Sequence, residues 1–145
     1  MTKPIRRSTS RRGTAVVEMV LVGMLLIQLT FFSIEFSWLF LRKQQVINTA
    51  RQAARIAAIA DSTNAMVTTQ ITNQLTSYGM GSSGYTATLN PGDVALVTKG
   101  NMVSVTITIP YKNVQATPAS MGLWATFGIL PTNVAATVTM MKEGE

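Results

Sequence analysis

The chain of 145 residues has no cysteine and no histidine. The first absence excludes a disulfide framework, a thiolate metal site and a cysteine nucleophile. The second excludes an imidazole base and a Ser-His-Asp triad. Acidic residues are scarce, 6 against 12 basic ones, and charged residues reach only 12%, whereas soluble domains carry about a quarter. Beyond the apolar N-terminal part the acids are Asp61, Asp93, Glu143 and Glu145. They fall in predicted turns or at the terminus and form no spaced pair for acid–base chemistry. The expectation is a protein that is not an enzyme, with no cofactor, no metal and no small-molecule substrate.

What is present is apolar and basic: 47% hydrophobic residues, mean hydropathy +0.27 and a net charge of +6. Neither figure is spread evenly. Residues 1–12 hold Lys3, Arg6, Arg7, Arg11 and Arg12 and no acid, so the rest of the chain sets seven bases against six acids. No aromatic side chain is interleaved with these bases for stacking, so a nucleic-acid partner is not expected. From Thr14 to Leu41 only Glu18 and Glu35 are charged. As a helix this stretch would be roughly 42 Å long at about 1.5 Å per residue, and a bilayer core needs about 20 residues. It has no polar face for lying on a membrane surface. It is also longer than the apolar core of a cleaved secretory signal, and the small-residue site Ala58-Ile59-Ala60 lies far downstream. The segment therefore predicts a single membrane span, with the lipid bilayer as its first partner. The basic leader predicts a cytoplasmic N-terminus. Arg42, Lys43, Arg51 and Arg55 follow the span and weaken that bias without reversing it, so the C-terminal hundred residues are expected outside the cytoplasm.

A carboxylate within an apolar helix costs about 2.5–3.5 kcal/mol on insertion scales. Glu18 either stays hydrated at the interface or has a partner. Its spacing from Gly13 suggests one. A cut after Gly13 would give Thr14 a new α-amino group and make Glu18 the fifth residue of the mature chain. There the macrodipole favours its charge, and it could neutralise the ammonium of a neighbouring subunit.

Basic leader, Gly13, four residues, Glu18 and an apolar helix together resemble the signal of type IV pilins and pseudopilins. The string Arg11-Arg12-Gly13-Thr14-Ala15-Val16-Val17-Glu18 resembles the start of TadE-like proteins, minor pseudopilins of tight-adherence (Flp, type IVc) pilus systems. Ser33-Ile34-Glu35-Phe36-Ser37 is similar to that family's second acidic position. Ala50-Arg51-Gln52-Ala53-Ala54-Arg55-Ile56-Ala57-Ala58 is similar to its Ala/Arg segment, and Ala135–Glu143 to its closing strand. The resemblance implies a prepilin peptidase acting between Gly13 and Thr14 and an assembly role for Glu18. It also implies, as partners, other pilins or pseudopilins and the membrane proteins of pilus assembly. The expected location is the bacterial inner membrane.

Glu35 lies 17 residues past Glu18, roughly 25 Å along a helix, near the far interface where Trp38 and its flanking phenylalanines suggest an aromatic belt. It reads equally as a hydrated interfacial carboxylate or as one half of an intersubunit ion pair, with Gln45, Arg51 or Arg55 of another copy as the partner. Arg51 and Arg55 share a helix face, which reads first as a solvated basic face and second as a contact for lipid phosphates or acidic partners.

Past the membrane, Val46, Ala50, Ala53, Ala54 and Ala57 recur at helical spacing. Asp61–Asn64 marks a break or a new N-cap. Val67, Ile71, Leu75 and Tyr78 predict a second amphipathic helix or a kinked continuation, ended by the glycine-rich run 79–84. Tyr85–Leu89 predicts a strand. Val94–Thr98 and Met102–Pro110, flanking Lys99-Gly100-Asn101, predict a hairpin. Val103, Val105, Ile107 and Ile109 alternate with polar residues, as do Val134, Ala136, Val138 and Met140, so each strand buries one face. Ser120–Leu130 is apolar and expected to pack on the sheet as a short helix or loop, with contact to a partner or the membrane surface as the alternative. The expected architecture is α+β and pilin-like: a basic leader (1–13), a transmembrane helix (14–41), an extramembrane helical segment (42–78) and a head (79–145) with three or four antiparallel strands. The functional expectation is a minor pseudopilin-like structural component of a pilus assembly or secretion machine. The alternatives are an uncleaved single-pass anchor presenting a binding head and a pseudopilin of another secretion system.

Overall fold

The computed structural model describes residues 11–116 and 130–143. Helix α1 runs over Arg11–Ala58. No proline occurs between Pro4 and Pro91, so nothing interrupts its hydrogen-bond ladder. Two compact units divide within α1, one ending at Ile34 and the other beginning at Glu35.

In the first unit the apolar side chains of α1 are exposed. Val16, Met19, Leu21, Leu25, Leu29 and Ile34 are each at least half accessible. The helix is long and apolar enough to cross a membrane. Exposure of this many large apolar groups is costly in water, at about 25 cal/mol per Å², and is relieved by lipid or by neighbouring helices.

The second unit is an α+β head. Here α1 is followed by helix α2 (Asn64–Ser77) and strands β1 (Thr86–Asn90), β2 (Met102–Pro110) and β3 (Asn133–Met141). The sheet order is β1-β2-β3, antiparallel throughout, with Ala87 opposite Ile107 and Ile107 opposite Ala136. The inward residues Val103, Val105, Ile107 and Ile109 form one core with Val46, Ala50, Ala53, Ala54 and Ala57 of α1 and Val67, Ile71 and Leu75 of α2. Alanine along the α1 stripe lets helix and sheet approach closely, while the β-branched residues suit the pleated strand. Hydroxyls line the opposite sheet face, where Ser104 pairs with Thr139 at 2.7 Å and Thr106 with Thr137 at 2.9 Å.

The break after α1 resolves into two helices. Asp61 adopts the left-handed region (φ 59°), and Thr63 caps α2, its hydroxyl accepting from the Met66 amide. At the far end Gly79 takes a φ of 71°. The Met80 amide donates to Leu75 O at 2.7 Å and the Gly79 amide to Thr76 O at 2.9 Å. This double closure needs a left-handed residue at that position, and buried Met80 supplies its apolar contact with the last turn.

One expectation changes. Val94–Thr98 is not a strand: Val94–Leu96 forms a 3-10 turn. Asp93 accepts from the Ala95 amide at 3.0 Å, and the Asn64 side chain accepts from the Val94 amide at 3.0 Å while donating to Gly92 O. These side-chain bonds replace a strand ladder and still leave Val94 fully buried. The neighbours of β2 are therefore β1 and β3, and the sheet has three strands. Most of the apolar stretch Ser120–Leu130, residues 120–129, lies outside the described residues.

Candidate functional site

Glu18 is exposed on the apolar part of α1, one turn past Thr14, and Gly13 and Thr14 are exposed as well.

Glu35 opens the second unit. It is 4% exposed, not a hydrated carboxylate. The Tyr111 hydroxyl donates to its Oε1 in a short hydrogen bond, and the Ala116 amide donates to the same oxygen at 3.4 Å. The positions that set this up are the start of the α1 face that contacts the head and the turn after β2, where Tyr111–Asn113 form a single 3-10 turn. Burial raises the Tyr111 pKa, and the Glu35 hydrogen bond and charge raise it further. A neutral phenol is thus held against a carboxylate, which a buried acid requires as a partner.

One turn further along, Trp38 Nε1 donates to Val114 O at 2.7 Å. The Arg42 guanidinium lies over the Trp38 ring, 4.5 Å from its centroid, and donates to Tyr78 O at 2.8 Å and to Gln45 Oε1 at 3.0 Å. Burial lowers the Arg42 pKa, yet arginine stays protonated at any physiological pH. Glu35, Trp38 and Arg42 follow one another at i, i+3 and i+7, so one face of α1 carries three polar groups that all bond to the head.

Arg51 and Arg55 are exposed. Arg51 stands about 24 Å from Glu35 along the helix at about 1.5 Å per residue, so the two are not brought together within the chain.

The structure adds a residue that the sequence did not single out. Lys142 is 5% exposed. Its ammonium donates to Ala57 O at 3.1 Å, to Ile59 O at 2.8 Å and to Ser62 Oγ at 2.6 Å. The next amide, Glu143, donates to Ala58 O at 2.7 Å. The carbonyls closing α1 are thereby satisfied by the end of β3, and a cation sits at the negative end of the helix dipole. The available signal was a lone lysine closing a strand of alternating apolar residues.

Among the described residues no group of three or more acidic side chains could hold a metal ion. The shallow depressions near Lys99, Lys142 and Glu143 gather no catalytic set.

Among the described residues these features define one apolar, membrane-compatible helix and a small α+β head. Residues 13–55 match the model of the family described as TadE-like protein, in agreement with the resemblance carried by Gly13, Glu18, Glu35 and the Ala/Arg segment. No curated protein and no solved structure matches the chain. The match lies wholly within α1 and covers 43 of the 145 residues, 13 to 55 inclusive.

Proposed function

We propose that the chain is a minor pseudopilin-like component of a type IVc (Tad/Flp) pilus assembly. It inserts in the inner membrane with its N-terminus cytoplasmic and is cut between Gly13 and Thr14 by a prepilin peptidase. The observation that carries this reading is the placement of Gly13 and Glu18, five residues apart, at the head of an exposed apolar helix within the matched stretch 13–55. In this reading the exposed helix faces lipid first and the helices of other pilins or pseudopilins after assembly. Glu18 neutralises the α-amine of a neighbour, and Arg51 and Arg55 remain available on the outward face for acidic partners.

The test is the mature N-terminus, read by mass spectrometry of the protein from cells that express the matching peptidase. A native N-terminus at Thr14 supports the proposal. An intact arginine leader rejects processing and leaves an uncleaved single-pass anchor.

A further inference from the structure

Within the first unit, which ends at Ile34, α1 carries one long polar side chain after Glu18. Residues 19–27 have no polar side chain, and Gln28 follows them. Gln28 stands ten residues past Glu18, about 15 Å along the helix at about 1.5 Å per residue. That is half of a hydrocarbon core about 30 Å thick. With the Glu18 carboxylate at the membrane edge, Gln28 lies near the bilayer midplane.

Two smaller polar groups follow, and both are provided for by the helix itself. The Thr30 hydroxyl donates to Leu26 O and the Ser33 hydroxyl to Leu29 O, each at 2.9 Å. The Gln28 carboxamide has two donors and an acceptor, and no hydrogen-bond partner among the described residues. Hydrocarbon offers it none, and an unpaired amide at that depth is costly. Such a side chain is compensated across a contact between helices.

Depth and chemistry together select the facing helix. A second copy inserted the same way carries Gln28 at the same depth. A carboxamide both donates and accepts, so two of them satisfy each other reciprocally. At heptad spacing from Gln28, and so on its face of the helix, stand Val17, Leu21, Met24 and Phe31. All four are apolar, and they are 60%, 63%, 58% and 41% exposed. They supply a seam that excludes lipid from the amide pair.

We propose that two copies of the chain associate side by side in the membrane through a hydrogen-bonded Gln28–Gln28 pair flanked by Leu21, Met24 and Phe31. This rests on the membrane-spanning reading of α1 and not on cleavage at Gly13 or on the pairing of Glu18.

The absence of cysteine makes single-site labelling direct. The full chain, reconstituted alone in phosphatidylcholine/phosphatidylglycerol vesicles, carries donor or acceptor dye at exposed Lys99→Cys. Energy transfer is followed as lipid dilutes the protein. Gln28→Leu inserts at least as readily as the wild type and should weaken association about three- to thirtyfold. Gln28→Asn keeps the carboxamide and should retain association. Equal association of the wild type and Gln28→Leu overturns the proposal, and so does wild-type transfer no greater than random proximity gives. A second measurement leaves Gln28 in place. Oxidation should link dimers through Leu21→Cys or Met24→Cys and not through Met19→Cys or Leu26→Cys on the opposite face. Linkage at 19 and 26 in preference to 21 and 24 also overturns the pairing. Carbonate extraction separates the two levels of failure: a chain that resists it yet stays monomeric loses only the pairing, and a chain that is extracted loses the span as well.

Discussion

The Tyr111 hydroxyl donates to the Glu35 carboxylate across 76 positions of chain. It ties the turn after β2 to the point of α1 where the head begins. Hydrogen bonds to charged groups contribute about 1.5–3 kcal/mol, and losing the phenol removes the shorter of the two donations to Glu35 Oε1. Tyr111→Phe should therefore destabilise the head by about 2 kcal/mol, measured by denaturant unfolding in micelles. Glu35→Gln keeps an acceptor and should cost less. Equal losses in the two variants would show that the charge, and not the hydrogen bond, carries the contact.

The same pair makes stability depend on alkaline pH. Burial, then Glu35, raises the folded pKa of Tyr111 above the unfolded value of about 10. The stabilisation is complete below that value. As pH rises past it, the unfolded chain loses the phenolic proton first, the folded state binds more protons, and stability falls. The wild type should lose stability more steeply than Tyr111→Phe above about pH 10, read as unfolding midpoints at successive pH values. Parallel profiles would remove Tyr111 from the linkage.

Lys142 tests whether the end of β3 secures the end of α1. Lys142→Met keeps the stem and removes three donations, to Ala57 O, Ile59 O and Ser62 Oγ. The expected loss is about 2–3 kcal/mol, because charge-assisted bonds and a dipole contact are removed together. Amide hydrogen exchange should quicken first in the last turn of α1, around Ala58. Uniform quickening across the head would mean that Lys142 supports the whole core and is not a local cap.

How much of this was legible follows from the range of each interaction. Period-two alternation located Val103–Ile109 as one buried face of β2, and helical spacing located Val67, Ile71 and Leu75, because both patterns are local in sequence. The 3-10 turn at Val94 was only half legible: Asp93 beside it accepts from the Ala95 amide, but the Val94 amide is held by Asn64, 30 positions away. The partners of Glu35 and Lys142, which lie 76 to 85 positions distant, were not legible. A run of residues shows that a carboxylate or an ammonium needs compensation, and only the fold shows from where.

The alternation itself yields a contrast. Ile107 is fully buried, and its neighbour Thr106 points to the hydroxyl face, where it pairs with Thr137. Ile107→Ala should cost about 2–5 kcal/mol through lost transfer energy and a residual cavity. Thr106→Ala, on the solvent-facing side, should cost under about 1 kcal/mol. Both values come from denaturant midpoints at constant m. Comparable costs would mean that the hydroxyl face is covered in the folded protein.

Glu18 separates insertion from assembly. It is exposed on the apolar helix, and a carboxylate there opposes membrane entry by about 2.5–3.5 kcal/mol on insertion scales. Glu18→Ala should therefore insert at least as well as the wild type, as seen by carbonate-resistant membrane fractionation. Under the amine-pairing proposal the variant loses its attraction for the Thr14 ammonium of a neighbour, so its recovery in sheared or cross-linked pilus complexes should drop several-fold. Glu18→Gln distinguishes charge from size: it should fail like Ala if an ion pair is needed and recover if a hydrogen bond suffices. Unchanged incorporation of all variants would reject the pairing and leave Glu18 as a hydrated carboxylate at the membrane edge.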